Sequence, residues 1–204
     1  MNTPFLFHLQ GSLAYALDVV GRVVPDRLDD PTPCPGWDVR ALVAHLTDSV
    51  TVLAGARTPS RAPADPDDPV PAFTEAVCLL LTRLPRRASR ASGASGHPKS
   101  TAELATAVGA VEVAVHGWDV ARACGSTRPV PAVIAMDLLE LVPALVPSGA
   151  RSGLFGAPVR VPPGAPPGDR LVAFMGRSPA WAPPPSCGNG PAPASRPRPE
   201  DGPR

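Results

Sequence analysis

Apolar residues recur at steps of three and four positions along five long stretches of the chain. In the first stretch these positions are Phe5, Leu9, Leu13, Leu17 and Val20. This spacing places apolar side chains on one face of an α-helix. We therefore predict long helices over about residues 4–24, from about residue 39 onward, and over about residues 72–84, 101–124 and 130–146.

Three connectors separate these helices. Two of them, about residues 24–35 and 55–71, are rich in proline and aspartate, and proline removes backbone donors and interrupts helices. The third, about residues 86–100, is basic and made of small residues, with two glycines and Pro98. Gly125 follows the fourth helix and is a natural C-terminal stop. Asp38 is the predicted N-cap of the second helix, and Trp37 is expected to pack back on its first turn as a hydrophobic staple.

The region after the fifth helix has weaker signals. Phe155–Arg160 contains β-branched residues and is a candidate strand, whereas residues 169–175 favour a short helix, with Trp181 as a last apolar anchor. From residue 182 onward proline, glycine, serine and arginine dominate, so we expect a disordered tail. We expect one domain over residues 1–181, followed by this Pro-rich tail over residues 182–204.

Composition favours an all-α protein. Hydrophobic residues make up 44% of the 204 residues but aromatic residues only 4%, and strands favour aromatic and β-branched side chains. The formal net charge of +1 gives no indication of a nucleic-acid partner. The sequence contains no run of apolar residues long enough to span a membrane and begins without a basic leader segment. We therefore expect a cytoplasmic protein, with reduced cysteines, that is a monomer or a homodimer.

Glu112 and His116 form the clearest chemical motif. They lie four residues apart in the fourth predicted helix, with apolar residues between them, so they share one helix face. His45 lies on the predicted buried stripe of the second helix, together with Leu42 and Leu46. Because imidazole and carboxylate both bind divalent metals, a helical bundle could bring these three side chains together as a metal site with an open coordination position.

Each residue of this set also has an ordinary structural explanation. His45 could be a hydrogen-bonded core histidine, and Glu112 with His116 could be a solvent-exposed ion pair. Asp119 lies on the same face and could orient a ligand imidazole, or it could instead pair with Arg122.

Other conspicuous residues have ordinary structural interpretations. Trp37 and Trp118 are expected to be packing residues, and His8 and His97 to be incidental, the first in a frayed helix start and the second in a loop. Cys34 precedes the second helix, where a helix N-terminus can stabilise a thiolate. Because proline flanks it on both sides, we expect a structural turn and assign no catalytic residue in this chain.

Three sequence blocks resemble a known family. The first runs from Thr32 to Leu46 and contains Thr-Pro-Cys-Pro-Gly-Trp-Asp-Val-Arg, and the second runs from Glu112 to Ala123. The third runs from Leu171 to Trp181 and is preceded by Phe-Gly-Ala-Pro-Val. In this order they resemble the DinB-like, mycothiol-dependent maleylpyruvate isomerase N-terminal superfamily, and in particular its short actinobacterial members.

This resemblance implies a four-helix bundle with a short C-terminal extension. It also implies that His45, Glu112 and His116 bind a divalent metal, Zn²⁺ first and Ni²⁺ or another ion as alternatives. Asp119 would support them. Mycothiol would be the thiol cofactor or partner of a transferase or isomerase that acts on a small electrophile. The chain lacks a sizeable second domain after the bundle, so a non-enzymatic metal- or small-ligand-binding stress or sensor module is the alternative.

Overall fold

The computed structural model describes residues 5–55, 68–84, 98–146 and 156–184. Within these ranges the chain is all-α, as predicted. The elements are α1 (Leu6–Val20), a 3₁₀ turn (Pro25–Arg27), α2 (Val39–Leu53), α3 (Val70–Arg83), α4 (Thr101–Ala123), α5 (Ala132–Leu145) and α6 (Pro167–Phe174). Phe155, His97 and residues 185–204, which include most of the predicted tail, lie outside the described residues.

Local sequence signals determine where the helices begin and end. Asp38 caps α2 through a 2.7 Å hydrogen bond from the Ala41 amide to Asp38 Oδ1, as predicted. Ser100 caps α4 in the same way, by accepting a hydrogen bond from the Glu103 amide. Gly125 ends α4 with a positive φ of 75°, and the amide beyond it, that of Ser126, donates to the Ala121 carbonyl, which is a Schellman motif.

The predicted strand over 155–160 is wrong for the residues that the structure describes. Residues 156–160 have no regular secondary structure. The Val159 amide donates to the Ala173 carbonyl of α6 (2.9 Å), so it pairs with a helix terminus instead of a neighbouring strand. Pro158 on one side has no N–H with which to continue a ladder.

Helix α4 lies at the centre of the bundle, and α1 packs along it. Gly117 permits this approach, because a Cβ at this position would lie 3.3 Å from the Tyr15 ring and 3.4 Å from the Ala16 Cα. Trp118 is fully buried in the core, as expected for a packing residue. None of the helices in the described part of the chain is long and apolar enough to cross a bilayer.

Part of the apolar pattern of α4 lies outside the core, and one expectation about burial, that for His8, is wrong. Leu104 and Val108 continue the apolar spacing of α4 but are 46% and 43% exposed, whereas Ala107 between them is fully buried, so the first turns of α4 meet the core on another side of the helix. His8 was expected to be incidental in a frayed start. It lies within α1, is 1% exposed, and its Nδ1 is 3.5 Å from Asp137 Oδ2 on α5.

The chain after α5 folds back onto the bundle through α6. Leu171 and Val172 of this helix are fully buried, and Trp181 packs partly buried against the same core, as its predicted role as an anchor requires. This extension forms one wall of the cavity described below.

Candidate metal centre

The loop before α2 is shaped by one threonine. Thr32 Oγ1 donates to the Trp37 carbonyl (2.9 Å) and accepts a hydrogen bond from the Cys34 amide (3.2 Å). Gly36 provides the positive φ of 82° that the turn needs. The loop carries Cys34 and Trp37 to the start of α2, beside His45.

Helices α2 and α4 bring His45 and Glu112 into direct contact. His45 Nε2 lies 2.8 Å from Glu112 Oε1, and the Ser49 hydroxyl donates to the same oxygen at 2.8 Å. The His45 side chain is 35% exposed and that of Glu112 28%. His45 therefore lies at the edge of the predicted buried stripe, not within it. The Trp37 ring packs against the His45 ring, with 5.0 Å between the ring centroids; the staple contact with the first turn of α2 stays a prediction.

A buried carboxylate contacts one ring nitrogen of His116 and orients the ring. Its Nδ1 lies 3.0 Å from Oδ2 of Asp119, whose side chain has no exposed surface. Asp119 pairs with Arg177 and not with the alternative, Arg122: the Arg177 Nη2 lies 3.0 Å from Oδ2, whereas Arg122 lies over the Trp118 ring. With Nδ1 engaged by Asp119, the Nε2 atom of His116 is left to bind a ligand.

The three predicted ligands converge. The His45 and His116 rings meet edge to face with centroids 5.3 Å apart, and donor atoms of His45, Glu112 and His116 all lie within 4.8 Å of one another. Ligand atoms bound to one zinc ion at about 2.1 Å can be at most about 4.2 Å apart. Small side-chain rotations would therefore bring this set around a single ion.

Cys34, His116 and Asp119 form a second group of candidate ligands, which also lie within 4.8 Å of one another. Charge and protonation state both disfavour a metal ion at this second group. The Arg177 guanidinium already neutralises Asp119, and its positive charge opposes a cation at the same carboxylate. Burial also raises the pKa of the Cys34 thiol, whereas metal binding requires the thiolate.

A cavity of about 820 Å³ opens beside the convergent donors. Its walls are largely apolar and come from α4, the end of α5, the loop before α2 and the C-terminal extension. The lining includes Trp37, Val108, Val111, Val115, Leu145, Val146, Met175 and Arg177. An apolar cavity with a few convergent polar groups is the usual form of a small-molecule site.

The donor chemistry fits a divalent metal. Two imidazoles and one carboxylate are the ligand set of many catalytic zinc sites, which keep a position open for water or substrate. The Asp119 contact to His116 provides the outer support that ligand histidines generally have. The fourth position would face the cavity.

Sequence reasoning missed two residues of this site. Ser49 lies one helical turn after His45, so the i, i+4 relation could have suggested it. Arg177 is separated from Asp119 by 58 residues, and no local pattern connects the two.

Comparison with known proteins places these residues in a family context. The chain is 28% identical over 187 residues to uncharacterized proteins of Mycobacterium tuberculosis strains CDC 1551 / Oshkosh and ATCC 25618 / H37Rv. Each alignment covers 86% of this chain and 98% of the relative. No solved structure matches the chain significantly. The family profile described as "Mycothiol maleylpyruvate isomerase N-terminal domain" matches residues 9–142, so the chain belongs to that family.

Proposed function

We propose that this protein binds a divalent metal through His45, Glu112 and His116 and uses it in a thiol-dependent transfer or isomerisation on a small electrophile. The observation that carries this proposal is the convergence of the three donors within 4.8 Å at the wall of an 820 Å³ cavity. Zn²⁺ is the first choice of metal because the two-histidine, one-glutamate set suits it. Ni²⁺ is an alternative, since nitrogen and oxygen ligands bind several divalent ions.

A bound divalent ion would act as a Lewis acid and lower the pKa of a thiol, so that the thiolate would be present at neutral pH. The protein's own residues would prepare the surroundings. Asp119 would fix the ring orientation of His116, and the Ser49 hydroxyl would hold the Glu112 carboxylate. The apolar walls would exclude water from a bound electrophile. The Cys34 thiol, whose pKa is raised by burial, would remain protonated and would not act as a nucleophile.

Mycothiol is the thiol that we propose as partner. The support is the family profile, whose description names mycothiol and maleylpyruvate. The site itself requires only a thiol that reaches the donors and an electrophile that fits an apolar cavity. We further propose residues 1–181 as the functional unit, because the C-terminal extension up to Trp181 contributes to the cavity wall and the core.

Activity assays on zinc-loaded protein test the proposal. Mycothiol would be supplied with 1-chloro-2,4-dinitrobenzene, to detect conjugation, and with maleylpyruvate, to detect isomerisation. We expect turnover with at least one electrophile, and loss of that turnover in His45→Ala and Glu112→Gln. Glu140→Gln is the matched control, because Glu140 is an exposed glutamate on α5.

Two results would count against the enzymatic proposal. Equal rates in wild type, His45→Ala and Glu112→Gln would show that the site does not perform the reaction. Stoichiometric metal without turnover of either electrophile would instead support the alternative function, a non-enzymatic metal-binding module.

A further inference from the structure

Arg177 is buried at the junction between the C-terminal extension and the bundle. Its side chain is 8% exposed. Its Nη1 donates to the Met175 carbonyl at 2.9 Å. Its Nε and Nη2 both donate to Asp119, with Nη2 3.0 Å from Oδ2. The guanidinium is therefore hydrogen-bonded on one side to the turn that follows α6 and on the other side to α4.

Asp119 needs this partner. A fully buried carboxylate is costly unless an opposite charge and hydrogen bonds compensate it. Its Oδ2 accepts from Arg177 and also lies 3.0 Å from His116 Nδ1. The guanidinium thus determines where this oxygen sits, and that oxygen orients the His116 ring.

A glycine turn delivers Arg177 to this position. Gly176 follows α6 with a φ of 84°, and the amides of Gly176 and Arg177 donate to the Ala173 and Val172 carbonyls, which is a Schellman motif. A Cβ on Gly176 would lie 2.9 Å from the Gly156 Cα and carbonyl oxygen. A side chain here would force either the Gly156 backbone or the turn that carries Arg177 to move.

We propose that Arg177 is a positioning residue of the metal centre, through which docking of the C-terminal extension and metal binding at His116 are thermodynamically coupled. The connection runs from Gly176 to Arg177, from Arg177 to Asp119, and from Asp119 to His116. This inference rests on the proposed metal site and adds to it a control element from a region outside the matched family segment, residues 9–142.

Coupling of this kind is reciprocal. If the docked extension strengthens metal binding, bound metal must strengthen docking by the same factor. Outer contacts to ligand histidines typically change metal affinity by about 10- to 100-fold. The effect should therefore be visible both in metal affinity and in the stability of α6.

Metal affinity, measured by competition with a chromophoric zinc chelator, tests the first direction. We expect Arg177→Met to weaken Zn²⁺ binding by roughly 10- to 100-fold, with partial recovery in Arg177→Lys, which keeps the charge but lacks the forked geometry. Gly176→Ala should weaken binding by about tenfold although it leaves both charged groups in place. Gly164→Ala, in the same extension but with open space around its Cβ, should bind like wild type.

Hydrogen exchange of the wild-type protein tests the reverse direction and needs no variant. Zn²⁺ should slow exchange of the α6 amides by a larger factor than that of the α3 amides, because α3 carries none of the proposed ligands and gains only the global stabilisation that a bound ligand gives. If Arg177→Met fails to fold, this measurement and the Zn²⁺ affinity of Gly176→Ala still test the coupling.

The outcomes separate the two proposals. Absence of Zn²⁺ binding in wild type overturns the metal site and this inference together. Zn²⁺ binding that is equal within twofold in wild type, Arg177→Met and Gly176→Ala, with α6 amides slowed by metal no more than α3 amides, overturns the coupling alone. Weaker Zn²⁺ binding by Gly164→Ala would also contradict the coupling, because the loss of affinity would then follow any change in the extension.

Discussion

Histidines face carboxylates in two regions of this molecule, with different surroundings. His8 and Asp137 connect α1 to α5 inside the core, and the histidine is 1% exposed. His45 and Glu112 connect α2 to α4 beside an open cavity, and both remain partly exposed. At the second place a further imidazole converges on the pair; His8 does not line that cavity.

The difference shows that burial of a polar pair does not identify a functional site. A buried histidine beside a carboxylate can serve packing and helix register. A ligand site requires several donors that converge from different elements and an approach route for the ligand. Substitutions at the structural pair should therefore change stability, and those at the proposed metal centre should change metal affinity.

Glu112→Gln should have the largest effect. It removes the carboxylate charge from the proposed ligand set while keeping the side-chain shape. We expect Zn²⁺ affinity to fall by more than about 100-fold, above the range for outer contacts. Chelator competition and elemental analysis measure this, with circular dichroism as a check that the helices persist. Unchanged affinity would remove Glu112 from the site.

His8→Ala should destabilise the fold without affecting metal binding. It removes a buried ring and the neighbour of a carboxylate, which typically costs about 2 kcal/mol of unfolding free energy. Urea denaturation of the metal-free protein would measure the loss. If His8→Ala instead reduced metal stoichiometry, the distinction between the two histidine–carboxylate pairs would be wrong.

Ser49→Ala should weaken the metal centre moderately. The serine hydroxyl donates to Glu112 Oε1, and loss of such support lowers metal affinity by about tenfold. Thr82→Ala is a suitable control, because Thr82 is exposed on α3 and its hydroxyl donates to the nearby Leu79 carbonyl. A Ser49→Ala affinity equal to that of the control would mean that this hydrogen bond does not support the ligand.

Cys34→Ser should have the smallest effect on metal content. Because burial raises the pKa of this thiol, Cys34 is a poor ligand at neutral pH. Zinc stoichiometry measured at neutral pH should equal that of wild type. Loss of zinc in Cys34→Ser, with retention in His45→Ala, would assign the metal to the Cys34, His116 and Asp119 group instead.

Much of the fold could be predicted because helix signals are local. The apolar spacing located the long helices; Asp38 begins α2 and Gly125 ends α4, as their chemistry requires. The exposure of Leu104 and Val108 could not be predicted. Spacing identifies a helix face, but the neighbouring elements decide which part of the helix surface the core covers.

The site was partly predictable for the same reason. Glu112 and His116 share one helix, and His45 could be chosen because it lies among apolar residues on another. Arg177 could not be found in this way, since its link to Asp119 depends on how the chain after α5 folds back. The contact between the Trp37 and His45 rings likewise arises from the three-dimensional turn around Gly36.

The most direct test is the anomalous diffraction of zinc-loaded crystals, recorded on both sides of the zinc absorption edge. The account predicts one strong anomalous peak within bonding distance of His45, Glu112 and His116, with Asp119 still bound to His116 and Arg177. A peak at Cys34 and Asp119 would contradict it. So would the absence of any peak near His116 in crystals of protein shown to contain zinc.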